Sequence, residues 1–580
     1  MQDPAFKRRL ASLYKEVQEF SSQYENTYLR SIGENPHVTR LIEAFTFLHN
    51  KLHVTLEESR EELVSALTGL MYPHLNQPIP SYMLVQLCPS KDQAKPILIP
   101  KGSLICVEYQ SQKVKFQVTY AHEILPLVIE DVSYTLVEKP ELHFGDAKSC
   151  MSIKLKSVGA QKISTLGLKK LRFYINKNDK TEYSIYEAIF GQIMRVVIRD
   201  SFNSQNSFSL SKEAISKVGF APGEALLPKQ GSTFSGYKLL TEFFFFPAKF
   251  LFFDLSLQDL AGMQLPSSIT CDFFFKDTSL QELVSSSTIL LNVVPTINLF
   301  PAVSDPVEII DGQKDYKVLV DKLDPKQISI YEIGSVKVGL DSGEPVELQH
   351  LSEAICTKDQ ILWYSQYTKS LKGDFRDCYV NLVSKEQAGA RKYFYVQAEC
   401  FNNNVPYKIF ATFQQKVHLY FQNAALLVES IVPVTNPTPV GQICSKSDQK
   451  LELLTYLSVH YLNILDEQNA KKILKNLLSV YIQERIPHGA GLVYSINKVE
   501  VSYLVDKIKT KQGYCFCKGS LFQVYFENTE QIPKGLLILF CLILDEFLAF
   551  YCPINSFIKF EGYHQKQLLY SGIARESRVC

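Results

Sequence analysis

Charge of one sign is missing from this 580-residue chain: 61 lysines and arginines stand against 60 aspartates and glutamates, a formal net charge of +1. The charges are interspersed, so there is no basic footprint for nucleic acid or an anionic membrane surface. Also missing is any apolar run of the roughly 20 residues that a membrane-crossing helix needs. The nearest approaches are EFFFFPAKFLFFDL (242–255), broken by Pro247 and Lys249, and GLLILFCLILDEFLAFY (535–551), broken by Asp545 and Glu546. Both read as buried core elements. The opening MQDPAFKRRL is polar and lacks the apolar centre of a signal peptide. Cysteine occurs 13 times but never as CxxC. An odd, scattered set without a secretion signal points to reduced thiols in a cytosol. The catalytic fingerprints are missing as well: there is no P-loop, no GxGxxG after a strand, no GxSxG elbow and no HExxH. Internal repeats, low-complexity segments and long flexible linkers are absent too.

What is present is an ordinary folded composition, 46% hydrophobic and 21% charged. Its length divides into roughly three or four domains. Residues 3–30 carry Phe6, Leu10, Leu13, Val17, Phe20 and Tyr24 three or four apart, which is helical spacing. Asn35-Pro36 then reads as an N-cap followed by an N1 proline, with Val38, Leu41, Ile42, Phe45, Leu48 and Leu52 along one stripe. Ser59-x-x-Glu62 reads as a capping box opening a third helix that Pro73 stops. The first 75 residues are therefore expected to form a helical hairpin or small bundle.

From about residue 80 the texture becomes β-rich: SYMLVQLCP, KPILIPKGSLICVEY, KVKFQVTYAHEILPLVIEDVSYTLVEK, MSIKLKSV, QIMRVVIRD and VEIIDGQKDYKVLV, bounded by Pro and Gly. A helix is expected near Ile185 in KTEYSIYEAIFGQI, and others at LLTYLSVHYLNIL, NAKKILKNLLSVYIQE and LLILFCLILDEFLAFY. The fold class that follows is α+β, with an N-terminal helical region, β-rich middle domains and a mixed α/β C-terminal region. The boundaries expected are 1–80, 81–235, 236–435 and 436–580.

The residues with chemical potential read as structural. His49 and His53 stand at i, i+4, but no acid or cysteine nearby completes a tetrahedral set. His37 and His74 each follow a proline and read as a first-turn and a post-helix histidine. Cys515 and Cys517 (CFC) read as alternating strand residues rather than metal ligands. KILKNLL near Lys472 and the pair Asp545-Glu546 read as solvated helix faces. FFFFPAKFLFFDL has two readings, an aromatic anchor for a partner or a core strand–turn–strand. The aggregation hazard of an exposed run favours the core.

ENPHVTRLIEAFTFL together with SALTGLMYPHLNQPIPS resembles the N-terminal signature of the TssF (VasA/ImpG) family, baseplate components of the bacterial type VI secretion system. Further segments agree in order: IPKGSLI at Ile99, GYKLLTEFFFFPAKFLFFDL from Gly236, LNVVPTINLFPAVSDPVEI from Leu291, YEIGSV at Tyr331, LLTYLSVHYLNIL and LDEFLAFYCPINSF. Lys101 replaces the usual arginine, Leu75-Asn76-Gln77 replaces a more aromatic and basic trio, and Cys552-Pro553 stands where a small residue is usual. The resemblance implies a structural wedge protein with no catalysis, metal or cofactor. Its implied partners are TssG, a second TssF copy, TssK, TssE and the VgrG hub, without nucleic acid or membrane insertion. Its implied place is the bacterial cytoplasm, docked at the inner-membrane secretion complex.

The residues carried over as interaction or motif positions are Pro36, His37, Leu41, Phe45, Tyr72, Pro73, His74, Pro78, Pro80, Phe246, Pro247, Lys249, Phe250, Asn298, Phe300, Pro301, Asn555 and Phe557. The helices of residues 3–72 are expected to offer an apolar face to partner chains, or else to pack onto the chain's own β middle. Two other classes compete. A β-rich hydrolase would need paired carboxylates in a cleft, and an effector adaptor would need a detachable module.

Overall fold

The computed structural model describes residues 36–576 apart from short segments, of which 138–146, 352–360 and 444–468 (Leu451 excepted) are the longest. The chain divides into two units, one of residues 1–76 and 444–457, the other of 77–443 and 458–580.

The described part of the first unit is one helix, Pro36–Met71, followed by a single helical turn, Pro73–Asn76. At 1.5 Å per residue the long helix extends about 54 Å. It begins at Pro36, where the fixed φ of proline suits a first position. The expected break before Ser59 does not occur. No proline or glycine interrupts 37–67, so the capping-box pattern there is spacing on an uninterrupted helix. The expected bundle is thus a single helix among the described residues, and the helix expected over 3–30 lies outside them. Pro73 ends the helix as expected, because its ring cannot continue the ladder.

The second unit is built of mostly antiparallel sheets around several cores. A six-stranded sheet runs His418–Phe421, Leu104–Tyr109, Gln112–Val118, Val293–Ile297, Tyr82–Cys88, Ser430–Pro433. Its apolar face, with Val85, Val107 and Phe116, packs with Ile409 and Phe410 of the helix Val405–Phe413. A five-stranded sheet centres on Ser268–Phe275, which is buried at every position, between Ile193–Asp200 and Ser149–Ser157. Burial on both faces fits its largely apolar SITCDFFF sequence, in which the one acid, Asp272, is held by Arg199 at 2.6 Å. A four-stranded sheet places Phe252–Ser256 beside Lys170–Ile175. The largest sheet runs from Phe300–Val303 through Arg391–Phe401 and Ser329–Leu340 to Arg376–Val383 and Asp315–Val318, around a core that includes Trp363 and Phe394.

The helix expected near Ile185 is the short Glu182–Glu187, extended by a π turn Ala188–Gln192 before the next strand. At the C-terminal end the hairpin Ile496–Thr510 and Gly513–Phe526 includes Cys515 and Cys517 as strand residues. Gly513–Phe526 runs parallel to Phe557–His564, and a parallel neighbour requires a crossover. The helix Lys534–Ala549 supplies it and is buried from Gly535 onward. Ala470–Ser479 buries Leu474, Leu477 and Leu478 and exposes Lys471 and Lys472, the solvated lysine face expected.

Candidate functional site

The phenylalanine-rich segment is a core element, but its first arm is helical. Ser235–Phe245 is a helix, Pro247–Phe250 a 3-10 turn with the proline at its start, and Phe252–Ser256 a strand. The expected strand–turn–strand is corrected to helix–turn–strand. A run that is apolar on every side carries no period to separate the two.

Its rings tie distant parts of the unit together. Phe243 stacks on Phe540 of the C-terminal helix at 5.7 Å, Phe244 on Tyr481 at 6.0 Å and Phe253 on Phe173 at 5.2 Å. Phe246 tilts over Tyr82 at 5.3 Å, and the hydroxyls of Tyr237 and Tyr551 meet at 2.7 Å. Phe250 is fully buried and Pro247 partly so. Within this apolar joint sits one ion pair. The Lys249 ammonium donates to Glu242 Oε2, while Glu242 Oε1 accepts from the backbone N–H of Leu226 at 2.8 Å and Leu227 at 3.0 Å.

The Leu291 segment works through asparagines. Asn298 is fully buried and donates to Lys115 O (2.7 Å) and Asn402 Oδ1 (3.0 Å), while its own Oδ1 accepts from Asn402 N–H (2.7 Å). Asn292, at φ +56°, closes a two-way amide contact with the Leu125 backbone at 2.9 Å each way. Phe300 is buried with the Lys115 ammonium 5.4 Å over its ring, and Pro301 is exposed.

Asp545 and Glu546 do not form a solvated face. They are 0% and 4% exposed. Arg575, from the last described strand, bridges them: Nη2 lies 2.8 Å from Asp545 and Nη1 2.8 Å from Glu546. Lys217 approaches Glu546 at 3.4 Å, and Tyr570 donates to Asp545 at 2.9 Å. The partner that makes this burial tolerable lies about thirty residues away, beyond any local pattern. Phe557 is fully buried; Asn555 lies outside the described residues. A second network joins Arg172 to Asp254 at 2.7 Å and to Glu224 at 2.8 Å, with Lys170 on the same aspartate at 2.6 Å. His122, near this network, is pushed down to about 3 by burial and by the Arg172 cation.

The long helix is different in kind. Phe45, Leu48, Leu52, Leu56, Leu63 and Leu67 recur along one stripe and are 43% to 70% exposed, whereas Thr46, Val64 and Thr68 on another side are buried. A stripe this wide is what a helix ordinarily turns toward a core. Pro36, His37 and Leu41 occupy its first turns, and Tyr72, Pro73 and His74 its exit. Beyond it, Pro78–Ile79 forms a short strand with Gly441–Gln442, and Pro80 is buried. Pro78 and Pro80 thus flank an extended, paired Ile79, as the sequence leads one to expect.

The structure brings Phe246, Lys249 and Phe250 together and leaves the Asn298 and Phe557 regions as separate anchors. Sequence reasoning missed Glu242, Asn292, Asn402, Arg172 and Arg575. For Glu242 a signal was present: a lone acid and a lone base bracket FFFFPA seven residues apart. Among the described residues, no group of three or more His, Cys, Asp or Glu is placed to hold a metal, and the carboxylates of the two charged networks, Asp254 with Glu224 and Asp545 with Glu546, are engaged by Arg172 and Arg575.

A family model described as type VI secretion system, TssF, matches residues 2–568. The type VI secretion system component TssF1 of Pseudomonas aeruginosa is 22% identical over 558 residues, which cover 90% of this chain and 89% of that protein. Among solved structures, the fold is similar to a chain of the TssK-TssF-TssG baseplate subcomplex seen by cryo-electron microscopy. The TM-score is 0.75 at 20% identity, over 93% of this chain and 99% of the other. It is also similar to a chain of the baseplate complex from the type VI secretion system, with TM-score 0.63 at 18% identity over 99% of each. At these identities the structural likeness speaks for the fold.

Proposed function

The chain belongs to the TssF family of the type VI secretion system, and from that premise we propose that it is a structural subunit of the secretion baseplate. In this reading it assembles with TssG, a second copy of itself, TssK and TssE into a wedge around the VgrG hub, where sheath and tube polymerise. It acts by holding other chains in place, not by catalysis. Its place is the cytoplasm, docked at the inner-membrane complex, and none of the described helices is long and apolar enough to cross a membrane.

The observation that carries the proposal is the stripe Phe45, Leu48, Leu52, Leu56, Leu63 and Leu67, exposed over most of a helix about 54 Å long. An apolar stripe of this length left in water is a liability for an isolated chain and an asset for an obligate assembly. We assign the partner-facing role to this helix, from Pro36, His37, Leu41 and Phe45 onward, and the setting of its exit to Tyr72, Pro73, His74, Pro78 and Pro80. Phe246, Pro247, Lys249, Phe250, Asn298, Phe300, Pro301, Asn555 and Phe557 are assigned to the scaffold behind it.

Co-expression with the TssG-type protein of the same gene cluster, followed by light-scattering mass, tests the reading. A stable species with two copies of this chain per TssG is expected. A monomer that ignores TssG would overturn it.

A further inference from the structure

The largest sheet holds a small cavity that none of the roles above uses. It lies where three chain segments meet: Val318, Leu319 and Val320 at one end of Asp315–Val318, Ser329 at the start of Ser329–Leu340, and Arg376 at the start of Arg376–Val383. Its volume is about 20 Å³, room for a water or the head of a small group.

Two polar groups line it without a hydrogen-bond partner: the buried Ser329 Oγ and the buried Arg376 Nη1. The guanidinium rests on the Tyr367 ring, 4.4 Å to its centre, which holds it in place without neutralising it. The adjacent carboxylate, Asp377, is taken by Lys317 at 2.7 Å. Burial lowers the affinity of Arg376 for its proton, and what opposes this comes from Tyr367, Cys378 and Tyr331 rather than from a carboxylate.

A cation and a hydroxyl left unsatisfied around one cavity are costly unless something fills it. The fork of arginine N–H donors matches a planar carboxylate bidentately, and the serine O–H adds a third donor. We propose that Arg376 and Ser329 form a receptor for a carboxylate, carried by an acidic side chain of a partner subunit. The partner half of this inference rests on the baseplate reading above; the carboxylate site does not. Inorganic phosphate shares the chemistry but is tetrahedral and bulkier than a planar carboxylate. The chain's own Asp321 and Asp324, outside the described residues, are the internal alternative.

The test uses the full chain, melted in sodium formate, phosphate or chloride at equal ionic strength. Formate is expected to raise the wild-type melting temperature above chloride by about 1–2 °C, and R376M is expected to abolish that difference. R376M alone should melt no lower than wild type, because it deletes an unpaired buried charge, whereas a purely structural arginine would be missed. In co-purification with TssG- and TssK-type partners, R376M should recover about tenfold less complex, and R376K an intermediate amount.

No formate effect on wild type would overturn the site. A formate effect that appears only in the D321N/D324N variant would assign the site to the chain's own acids and overturn the partner role. A larger response to phosphate than to formate, or undiminished assembly by R376M, would make the site one for a free anion and overturn it likewise. Failure of wild type itself to assemble would count against the baseplate reading, while the formate comparison would still decide the site.

Discussion

Replacing Lys249 by methionine tests whether the phenylalanine-rich segment is the structural joint described above. Lys249 and Glu242 are 2% and 1% exposed. The substitution keeps most of the side-chain volume but removes the ammonium and its contact over Phe250, 5.0 Å to the ring centre. Glu242 is then left with the N–H groups of Leu226 and Leu227, at 2.8 and 3.0 Å, and no counter-charge. Stripping a buried carboxylate of its partner costs about 3–5 kcal/mol, which outweighs the roughly 1 kcal/mol expected of a volume-conserving swap. Unfolding entropy is about 2.1 cal/mol/K per residue, so over 580 residues the loss lowers the melting temperature by only about 2–4 °C. A urea titration is therefore the better assay, since it reads the free energy itself.

The double variant Glu242→Gln/Lys249→Met is decisive. Glutamine still accepts from the two N–H groups while no charge is left buried, so at least half of the single-variant loss should return. A Lys249→Met loss below about 1 kcal/mol would refute the reasoning. So would a double variant whose loss equals the sum of the singles within about 0.5 kcal/mol.

Three further outcomes follow from the same geometry. Arg575→Met leaves Asp545 and Glu546 buried without their bridge, and should cost about 3–5 kcal/mol and expose the C-terminal strand to protease; wild-type resistance would contradict this. Burial and the nearby Arg172 cation hold His122 to about 3 in the folded chain, against the ordinary histidine value of 6.5. Between those values the unfolded chain binds a proton that the folded one refuses, so stability falls as pH drops through the window, by at most about 1.4 kcal/mol per unit. His122→Gln should flatten the urea-derived slope between pH 6.5 and 5, and an unchanged slope would exclude the mechanism. Gly535 lies where a Cβ would fall 1.8 Å from the Tyr183 carbonyl oxygen. Gly535→Ala should thus lift the buried helix from its seat at a cost of about 1–3 kcal/mol or more, contradicted by an unmoved urea midpoint.

The strands were legible where the chain punctuates itself. Tyr82–Cys88 sits between Pro80 and Pro89, and its apolar run has the length of a strand rather than a helix. The buried helix Lys534–Ala549 was legible as core by its length and composition. What failed did so for two reasons. Periodicity vanishes where a helix is buried on every side, as in Ser235–Phe245, and a capping pattern inside a long helix looks like a start. The other failures are pairings across the chain: Arg575 with Asp545, Asn402 with Asn298, Arg172 with Asp254. Local spacing holds no trace of a partner that the fold delivers from far along the sequence. The family was legible because its short segments recur in order along the chain, while the exposed apolar stripe of the long helix became visible only in the fold.

That stripe gives the most direct measurement. Leu48, Leu52 and Leu56 are 57%, 65% and 70% exposed. Changing all three to serine should leave the isolated chain's stability within about 0.5 kcal/mol per site. Co-purified with the TssG-type protein, the triple variant is expected to run as a free chain by light scattering. A complex of wild-type mass and yield would contradict the claim that this helix is where the assembly is built.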